Sequence, residues 1–346
     1  MQSSLTEMQF EDHNRKGHCA SIIIVTFNHK KYLNRCIESV LKNSPLEIII
    51  LDNGSTDGTI EYINASYPSI KLIESKKNLG YGAGNNHAVQ IARGKFIVIL
   101  NPDTYVNSNW LDELLSPISC RGIVSCPLIS TYDGSIVNAC GNTEHVTGFT
   151  FARGLGTSIS NPPLPCDKGI GISGCCFAML REDYMSISGF DETFFIYMED
   201  AELSWRLRLS GFEIILNYRS IVYHDYHLTI SPEKMYYLEY GRYIILRKYY
   251  TRRMALSLLP SLMMAEILSF GLAFLHGPSG VNKKSKATID GMFAHINLNV
   301  DKRKVALDTK EWEIPIDQLD GYIFGNIIKR FANFVFRINK KIILLK

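Results

Sequence analysis

Asp52, Asp103, the pair Glu199-Asp200 and His224 are the residues whose types could combine into one chemistry. Asp103 closes the stretch KFIVILNPD, from Lys95 to Asp103. A carboxylate just past an apolar run suits a divalent cation, and the cation suits a diphosphate. Asn-Pro-Asp-Thr also makes an ordinary turn, so this stretch alone leaves both readings open. His224 opens His-Asp-Tyr-His. An imidazole joined to Asp103 suits Mn2+ or Mg2+ when phosphate oxygens complete the shell. Glu199 and Asp200 follow the aromatic run FFIYM (194–198) and open a helix. Two acids in a first turn are favoured by the helix dipole by about 0.3–1 kcal/mol each. The functional alternative is a general base under an aromatic wall. Asp52 opens DNGSTDGT, and either shapes a turn or accepts hydrogen bonds from a base or ribose.

Hydrophobic periodicity gives the elements that must hold these residues. SIIIVTF (21–27), EIIIL (47–51), residues 70–73 and FIVIL (96–100) are apolar runs suited to strands buried on both faces of a parallel sheet. Residues 29–43 place Leu33, Cys36, Ile37, Val40 and Leu41 at helical spacing, which gives a right-handed strand-helix-strand unit. Pro102 cannot donate to a sheet ladder and ends the fourth strand. Asp52 and Asp103 then lie at the carboxyl edge, where open α/β sheets bind ligands. Ser55 or Thr56 is expected to cap the helix through Tyr62 and Ile63. Gly80, Gly82 and Gly84 invite a dinucleotide-loop reading, with Asp103 at a suitable distance. ESKKN intervenes after a third strand, however, and the spacing is Gly-x-Gly-x-Gly. The glycines are expected instead to let backbone approach a ligand. Residues 85–92 and 110–115 read as helices and 122–128 as a strand. Residues 130–168 are turn-rich and read as a hairpin excursion with a loop over the site. IGISGCCFAML (170–180) reads as one strand returning to the core. Gly211 ends the Glu199 helix as its C′ residue, and residues 213–216 and 221–223 flank a turn.

The chain has 346 residues, 46% hydrophobic and 21% charged, with a net charge of +3. This suits a catalytic domain over residues 20–230, a helical C-terminal extension over 231–346 and a loose tail over 1–19. So small a net charge gives no nucleic-acid signature. Eight cysteines without a Cys-x-x-Cys pair or zinc-type spacing indicate a reducing compartment, and Cys175-Cys176 reads as core packing. The polar N-terminus lacks the apolar segment of a signal peptide. Residues 254–276 could span a bilayer by length, but Pro260 and Glu266 favour buried or membrane-surface helices. In the tail, Ile327, Ile328, Phe331, Phe334, Val335, Ile338 and Ile342 share one helical face. Lys329, Arg330, Arg337, Lys340 and Lys341 surround it, with no acid from Asn326 onward. A basic amphipathic helix reads as a membrane-surface anchor; the alternative is a terminal helix docked on the domain. The expected location is the cytoplasm, at the inner face of the cell membrane.

In order, IIIVTFNHKKYLNRCIESV, LDNGSTDGT, NLGYGAGNN, FIVILNPD and FFIYMEDAELSWRLRLSGF resemble glycosyltransferase family 2, the inverting nucleotide-sugar transferases. The chain is most similar to bacterial rhamnosyltransferase-type members that build cell-surface polysaccharides. The resemblance implies an α/β GT-A fold: a mostly parallel central sheet with helices on both faces, here with a C-terminal helical extension. It implies that Thr26, Phe27 and Asn28 border the nucleotide base, that Asp52 contacts base or ribose, and that Gly80 lies against the nucleotide. Asp103 matches the last acid of the family's Asp-x-Asp metal motif. Asn101 occupies the first position, on the donor side, so one carboxylate is missing. Asp200 matches the catalytic base, with Glu199 beside it at the donor. His224 matches a histidine that completes the metal site, and Arg181 resembles an acceptor- or phosphate-side arginine. The implied cofactor is Mg2+ or Mn2+. The implied reaction moves a sugar, L-rhamnose from dTDP-rhamnose in the leading reading, to a hydroxyl of a glycan or polyprenyl-diphosphate-linked acceptor.

A UDP-hexose or N-acetylhexosamine transferase of the same fold is the first alternative. A sugar nucleotidyltransferase would carry an N-terminal glycine-rich loop for a triphosphate, and residues 25–31 contain no glycine. An inactive, membrane-associated carbohydrate-binding protein would have no need of Asp103, Asp200 and His224 together.

Overall fold

The apolar runs form the parallel half of a nine-stranded sheet. The computed structural model describes residues 19–163, 170–226, 229–296, 305–316 and 323–344. Strands β1 (Ala20–Thr26), β2 (Glu47–Asp52), β3 (Lys71–Glu74) and β4 (Phe96–Leu100) lie parallel in the order β3-β2-β1-β4. Their side chains alternate between two cores: Ile22, Ile24 and Val98 on one face, Ile23, Val25 and Ile97 on the other. Helices α1 (Lys30–Leu41), α2 (Thr59–Ser66) and α4 (Trp110–Leu115) cover the first face. Helices α3 (Tyr81–Gln90), α5 (Arg181–Ser186) and α6 (Glu199–Leu209) cover the second. With both faces buried, both side-chain sets must be apolar.

Beyond β4 the sheet becomes mixed. β11 (Cys176–Leu180) runs antiparallel to β4 and to β6 (Ile123–Thr131). β12 (Glu213–His224) runs parallel to β6, and β5 (Thr104–Val106) closes the order antiparallel to β12. β7 (Val137–Ala139) pairs with β6, while β8 (Asn142–Glu144), β9 (Thr150–Ala152) and β10 (Ile170–Gly171) form a small second sheet.

Several local expectations are corrected. The apolar run 170–180 is two strands in different sheets, because Ile172–Cys175 turns away to meet α6. Segments 213–216 and 221–223 are one strand, with a register shift between Asn217 and Ile221 in place of a turn. Neither Ser55 nor Thr56 caps α2. Asp57 accepts from the Thr59 N–H at 3.1 Å, and Ser55 and Thr56 bond Asn28 instead. Helix α3 begins at Tyr81, so Gly82 and Gly84 lie inside it. Added Cβ atoms there would press on Phe190 and Val25 at 2.9 and 3.0 Å, so close packing requires these glycines. The expected tail over 1–19 lies outside the described residues except for Cys19, as does part of the expected loop before Ile170.

Five helices follow: α7 (Pro232–Tyr249), α8 (Arg252–Ser257), α9 (Leu259–Leu275), α10 (Gly277–Phe293) and α11 (Ile323–Leu344). Ile244, Ile245 and Tyr249 of α7 share a third core with Phe194, Met198 and Trp205. Lys248 bridges half-buried Asp191 and buried Glu202, both at 2.6 Å, and so fastens α7 to α6. Pro260 sits in the first turn of α9, dividing the long apolar segment, and Glu266 pairs with Arg242 and Lys284. No helix among the described residues is long and apolar enough to cross a membrane. Helix α11 buries Ala332, Asn333, Phe336 and Asn339, and leaves Ile327, Phe331, Phe334, Ile338 and Ile342 exposed. It is therefore docked, but by a narrow stripe of one aromatic ring, one alanine and two amides, with most of its apolar face outward.

Candidate active site

The β1–β2 pairing sets Thr26 opposite Asp52 at the carboxyl edge of the parallel strands. Asp52 is fully buried. Its Oδ1 accepts from the N–H groups of Gly54 and Ser55 at 3.0 and 2.8 Å, while Oδ2 has no partner. Thr26 Oγ1 is also buried and unpaired. Asn28, at φ 58°, accepts from the Thr56 N–H at 2.8 Å, which ties the two loops together. Phe27 is exposed. Half of the Asp52 carboxylate thus shapes its turn and half stays available, so the turn and ligand readings are compatible.

Asp103 follows β4 and precedes β5. The antiparallel β5–β12 register sets His224 opposite Thr104, bringing the histidine to Asp103. His224 Nε2 lies 3.3 Å from Asp103 Oδ1. The approach is an ion-pair distance without hydrogen-bond alignment, and both atoms are buried with no other partner. His224 Nδ1 lies 3.2 Å from Asn138 Oδ1, which fixes the ring. Burial works against the Asp103 charge, but His224 and then His29 hold its carboxyl below the ordinary value. Burial also works against the imidazolium, while Cys175 and Asp103 bring His224 up to about 10. Asn101 donates its N–H to Cys175 O at 2.9 Å and leaves its buried side-chain oxygen unpaired.

Asp200 sits one residue into α6. Its Oδ2 accepts from Gly174 N–H at 2.9 Å and Asn142 Nδ2 at 3.1 Å, and its Oδ1 accepts from Ala201 N–H at 2.8 Å. Burial raises its pKa against the pull of these donors. Burial, with the Asp200 charge adding to it, pushes Glu199 up to about 8. Glu199 Oε2 has no partner. Gly174 and Cys175 join the two halves: Gly174 holds Asp200, and the Cys175 thiol faces His224. Tyr226 feels both halves too; burial, then Tyr197, Asp200 and Asp103 push its phenol up to about 12.

Gly80 has φ 88°, and a Cβ there would lie 2.3 Å from Phe195 O. What demands glycine is thus the neighbouring backbone. Asn53 Nδ2 donates to Gly80 O at 3.1 Å, and Tyr81 O–H donates to Gly174 O, so a chain of contacts runs from the Asp52 loop to Asp200. Arg181 is not part of this cluster. Its N–H bonds Lys95 O, because antiparallel β11 runs from Cys176 beside Leu100 back to Leu180 beside Phe96. That carries Arg181 to the opposite edge of the sheet, roughly 15 Å along the strands.

Sequence reasoning missed Asn138, Asn142, Gly174, Tyr226 and Lys234, which surround these groups, and took Tyr197 only as part of the aromatic run 194–198. Tyr226, two residues after His224, also carried a signal by its position. Asp103 and His224 fit a divalent cation in one respect: two buried ligand atoms without a hydrogen bond converge, and a cation would replace the proton that His224 otherwise holds beside Asp103. Among the described residues no group of three or more His, Cys, Asp or Glu could hold a metal, so such an ion would need oxygens from a ligand and water.

Residues 21–187 match the family described as glycosyl transferase family 2. The chain is 28% identical over 235 residues to an N-acetylglucosaminyl-diphospho-decaprenol L-rhamnosyltransferase of Mycobacterium tuberculosis, covering 60% of this chain and 76% of that protein. It is 28% identical over 243 residues to the O-antigen biosynthesis protein RfbC of Myxococcus xanthus, covering 64% of this chain and 19% of that one. Among solved structures it superposes on GalNAc-T7 with UDP, GalNAc and Mn2+ with a TM-score of 0.57 at 19% identity, covering 80% of this chain and 56% of that one. On Staphylococcus aureus TarS the TM-score is 0.51 at 16% identity, covering 92% and 53%. The chain thus spans little more than half of either solved structure, and these two likenesses establish the fold.

Proposed function

The chain is a member of glycosyltransferase family 2, and on that premise we propose that it inverts the anomeric carbon of a nucleoside-diphosphate sugar in cell-surface polysaccharide synthesis. The observation carrying this reading is one edge of one sheet that holds both Asp200 and the Asp103–His224 pair. Inversion needs a single in-line displacement, with a carboxylate taking the acceptor hydroxyl proton opposite the departing diphosphate. Asp200 has the attributes of that base. Three donors fix its direction, and burial raises its proton affinity above that of an exposed aspartate. Glu199, protonated at neutral pH, leaves the negative charge on Asp200. The free Asp52 oxygen and Thr26 hydroxyl are suited to a nucleobase or ribose beside exposed Phe27.

A divalent cation, Mn2+ or Mg2+, would be held by Asp103 and His224 and would supply charge stabilisation to the leaving diphosphate. Mn2+ suits a site with one imidazole and one carboxylate better than Mg2+ does. The relative's name, an N-acetylglucosaminyl-diphospho-decaprenol L-rhamnosyltransferase, favours L-rhamnose as the sugar and a polyprenyl-diphosphate-linked glycan as acceptor; dTDP-rhamnose is the donor that the family resemblance implies. A UDP-hexose donor is the second reading, favoured by UDP in the GalNAc-T7 structure. The outward apolar face of α11, among basic residues, supports docking at the inner face of the cell membrane. The division at residue 230 into a catalytic domain and a helical extension belongs to the same reading.

The test is turnover of dTDP-rhamnose and UDP-sugars by wild type and Asp200→Ala. Loss of about 10²- to 10⁴-fold in kcat with an unchanged melting profile supports the base role. Near-normal kcat in the variant removes Asp200 from it.

A further inference from the structure

Lys234 is an unusual lysine. It lies in the first turn of α7, where the helix dipole disfavours a cation. It is only 9% exposed. Its ammonium is within hydrogen-bonding reach of the Tyr226 hydroxyl and lies 4.6 and 5.2 Å from the ring centres of Tyr226 and Tyr197. Among the described residues no carboxylate pairs with it. Three of the other four buried lysines among the described residues have acids: Lys248 has Asp191 and Glu202, Lys284 has Glu239 and Glu266, and Lys310 has Glu144. Lys329, the fifth, bonds the Ile316 carbonyl. Burial alone brings Lys234 down to about 8, so most of the population remains charged at neutral pH. A buried, unneutralised cation lowers stability, and folds keep one where a ligand brings the opposite charge.

Its surroundings say which ligand. The Tyr226 ring stacks on His224 with centroids 5.3 Å apart, and His224 faces Asp103. The other wall of the cage, Tyr197, is held at φ 63° and followed by Met198 at φ 68°. Two consecutive left-handed residues without glycine store strain of about 1–3 kcal/mol each. They turn the chain from the Tyr197 wall directly into Glu199 and Asp200. The cage is therefore built between the base and the Asp103–His224 pair.

We propose that Lys234, caged by Tyr197 and Tyr226 beside His224, is a direct contact for the diphosphate of the donor nucleotide. It supplies a fixed positive charge in a site where Asn101 stands in place of a second metal-binding carboxylate. This deepens the glycosyl-transfer reading and rests on it. In the displacement, the bond from anomeric carbon to diphosphate oxygen breaks and its electron pair stays on the diphosphate. The new bond forms to the acceptor oxygen, whose proton passes to Asp200. Lys234 stabilises the charge that the diphosphate gains.

The experiment measures binding of UDP, dTDP, uridine and thymidine, each with and without Mn2+, to the full chain, Lys234→Met and Lys234→Arg. Lys234→Met is expected to weaken nucleoside-diphosphate binding by about 10- to 100-fold, the range of one charge-assisted hydrogen bond. Nucleoside binding should be unchanged, and Lys234→Arg should recover most of the loss. The Met variant should melt no lower than wild type, because an unpaired buried charge is gone. Equal diphosphate affinity in wild type and Lys234→Met overturns the proposal. So does a Met variant that melts lower and loses nucleoside and diphosphate alike, since that describes a structural lysine. A wild type that binds neither UDP nor dTDP overturns the donor reading itself, and this contact with it.

Discussion

Glu199→Gln should change how stability depends on pH more than it changes stability at any one pH. Glu199 is buried beside Asp200, one of its oxygens is unpaired, and its pKa is raised to about 8. A carboxyl that binds its proton more tightly when folded lends full stability below its unfolded value near 4.5. That stability drains away as pH rises toward 8. Each pH unit between these values is worth about 1.4 kcal/mol, giving an upper bound of about 5 kcal/mol. Water entry at the ligand-facing side reduces this, and we expect about 2–3 kcal/mol. Glutamine has nearly the same shape and no titration, so it removes the slope. Chemical denaturation or thermal melting of both proteins at intervals from pH 5 to pH 9 reads the effect. The advantage of the variant over wild type should grow across the range to about 3–4 °C in midpoint. A constant offset from misplaced hydrogen bonds would appear at every pH and leave the divergence visible. Parallel profiles would refute the reasoning and mean that Glu199 is already ionised near pH 5.

Gly80→Ala should destabilise by about 1–3 kcal/mol, since the methyl group meets Phe195 O in a left-handed conformation. It should also weaken nucleotide binding by disturbing the Tyr81–Gly174 contact; an unchanged melting point would argue against the close approach. The full chain should co-sediment with vesicles containing anionic lipid, more weakly at high salt. Phe331→Glu with Phe334→Glu should weaken this without affecting folding, because both side chains point outward; equal sedimentation of variant and wild type refutes the α11 surface as the docking face.

Much of this protein was legible in the chain itself. The runs at β1, β2 and β4 are apolar throughout because both faces of the sheet are covered, and that demand is written residue by residue. Pro102 and Asn53-Gly54 fixed where strands end, and hence which edge Asp52 and Asp103 occupy. Gly211, at φ 83°, marked the end of α6. Other features depended on contacts distant in sequence. The run 170–180 looks like one strand, and only the capture of Gly174 by Asp200 shows why it breaks in two. Arg181 looked available until the antiparallel pairing of β11 sent it to the far edge. The glycines of residues 80–84 looked like a ligand loop, but Phe195, Phe190 and Val25 fill the space a side chain would need.

Local propensity and periodicity are properties of neighbours along the chain, so the sequence by itself determined the strands, most helices, the carboxyl edge and the acids upon it. Which residues meet is set by register and packing between segments up to two hundred residues apart, information that no local pattern carries. Only the tertiary structure therefore set His224 opposite Thr104, gave Asp200 its donors from Asn142 and Gly174, and left Lys234 buried without an acid among the described residues. It also turned the apolar face of α11 outward, where periodicity alone allowed either direction.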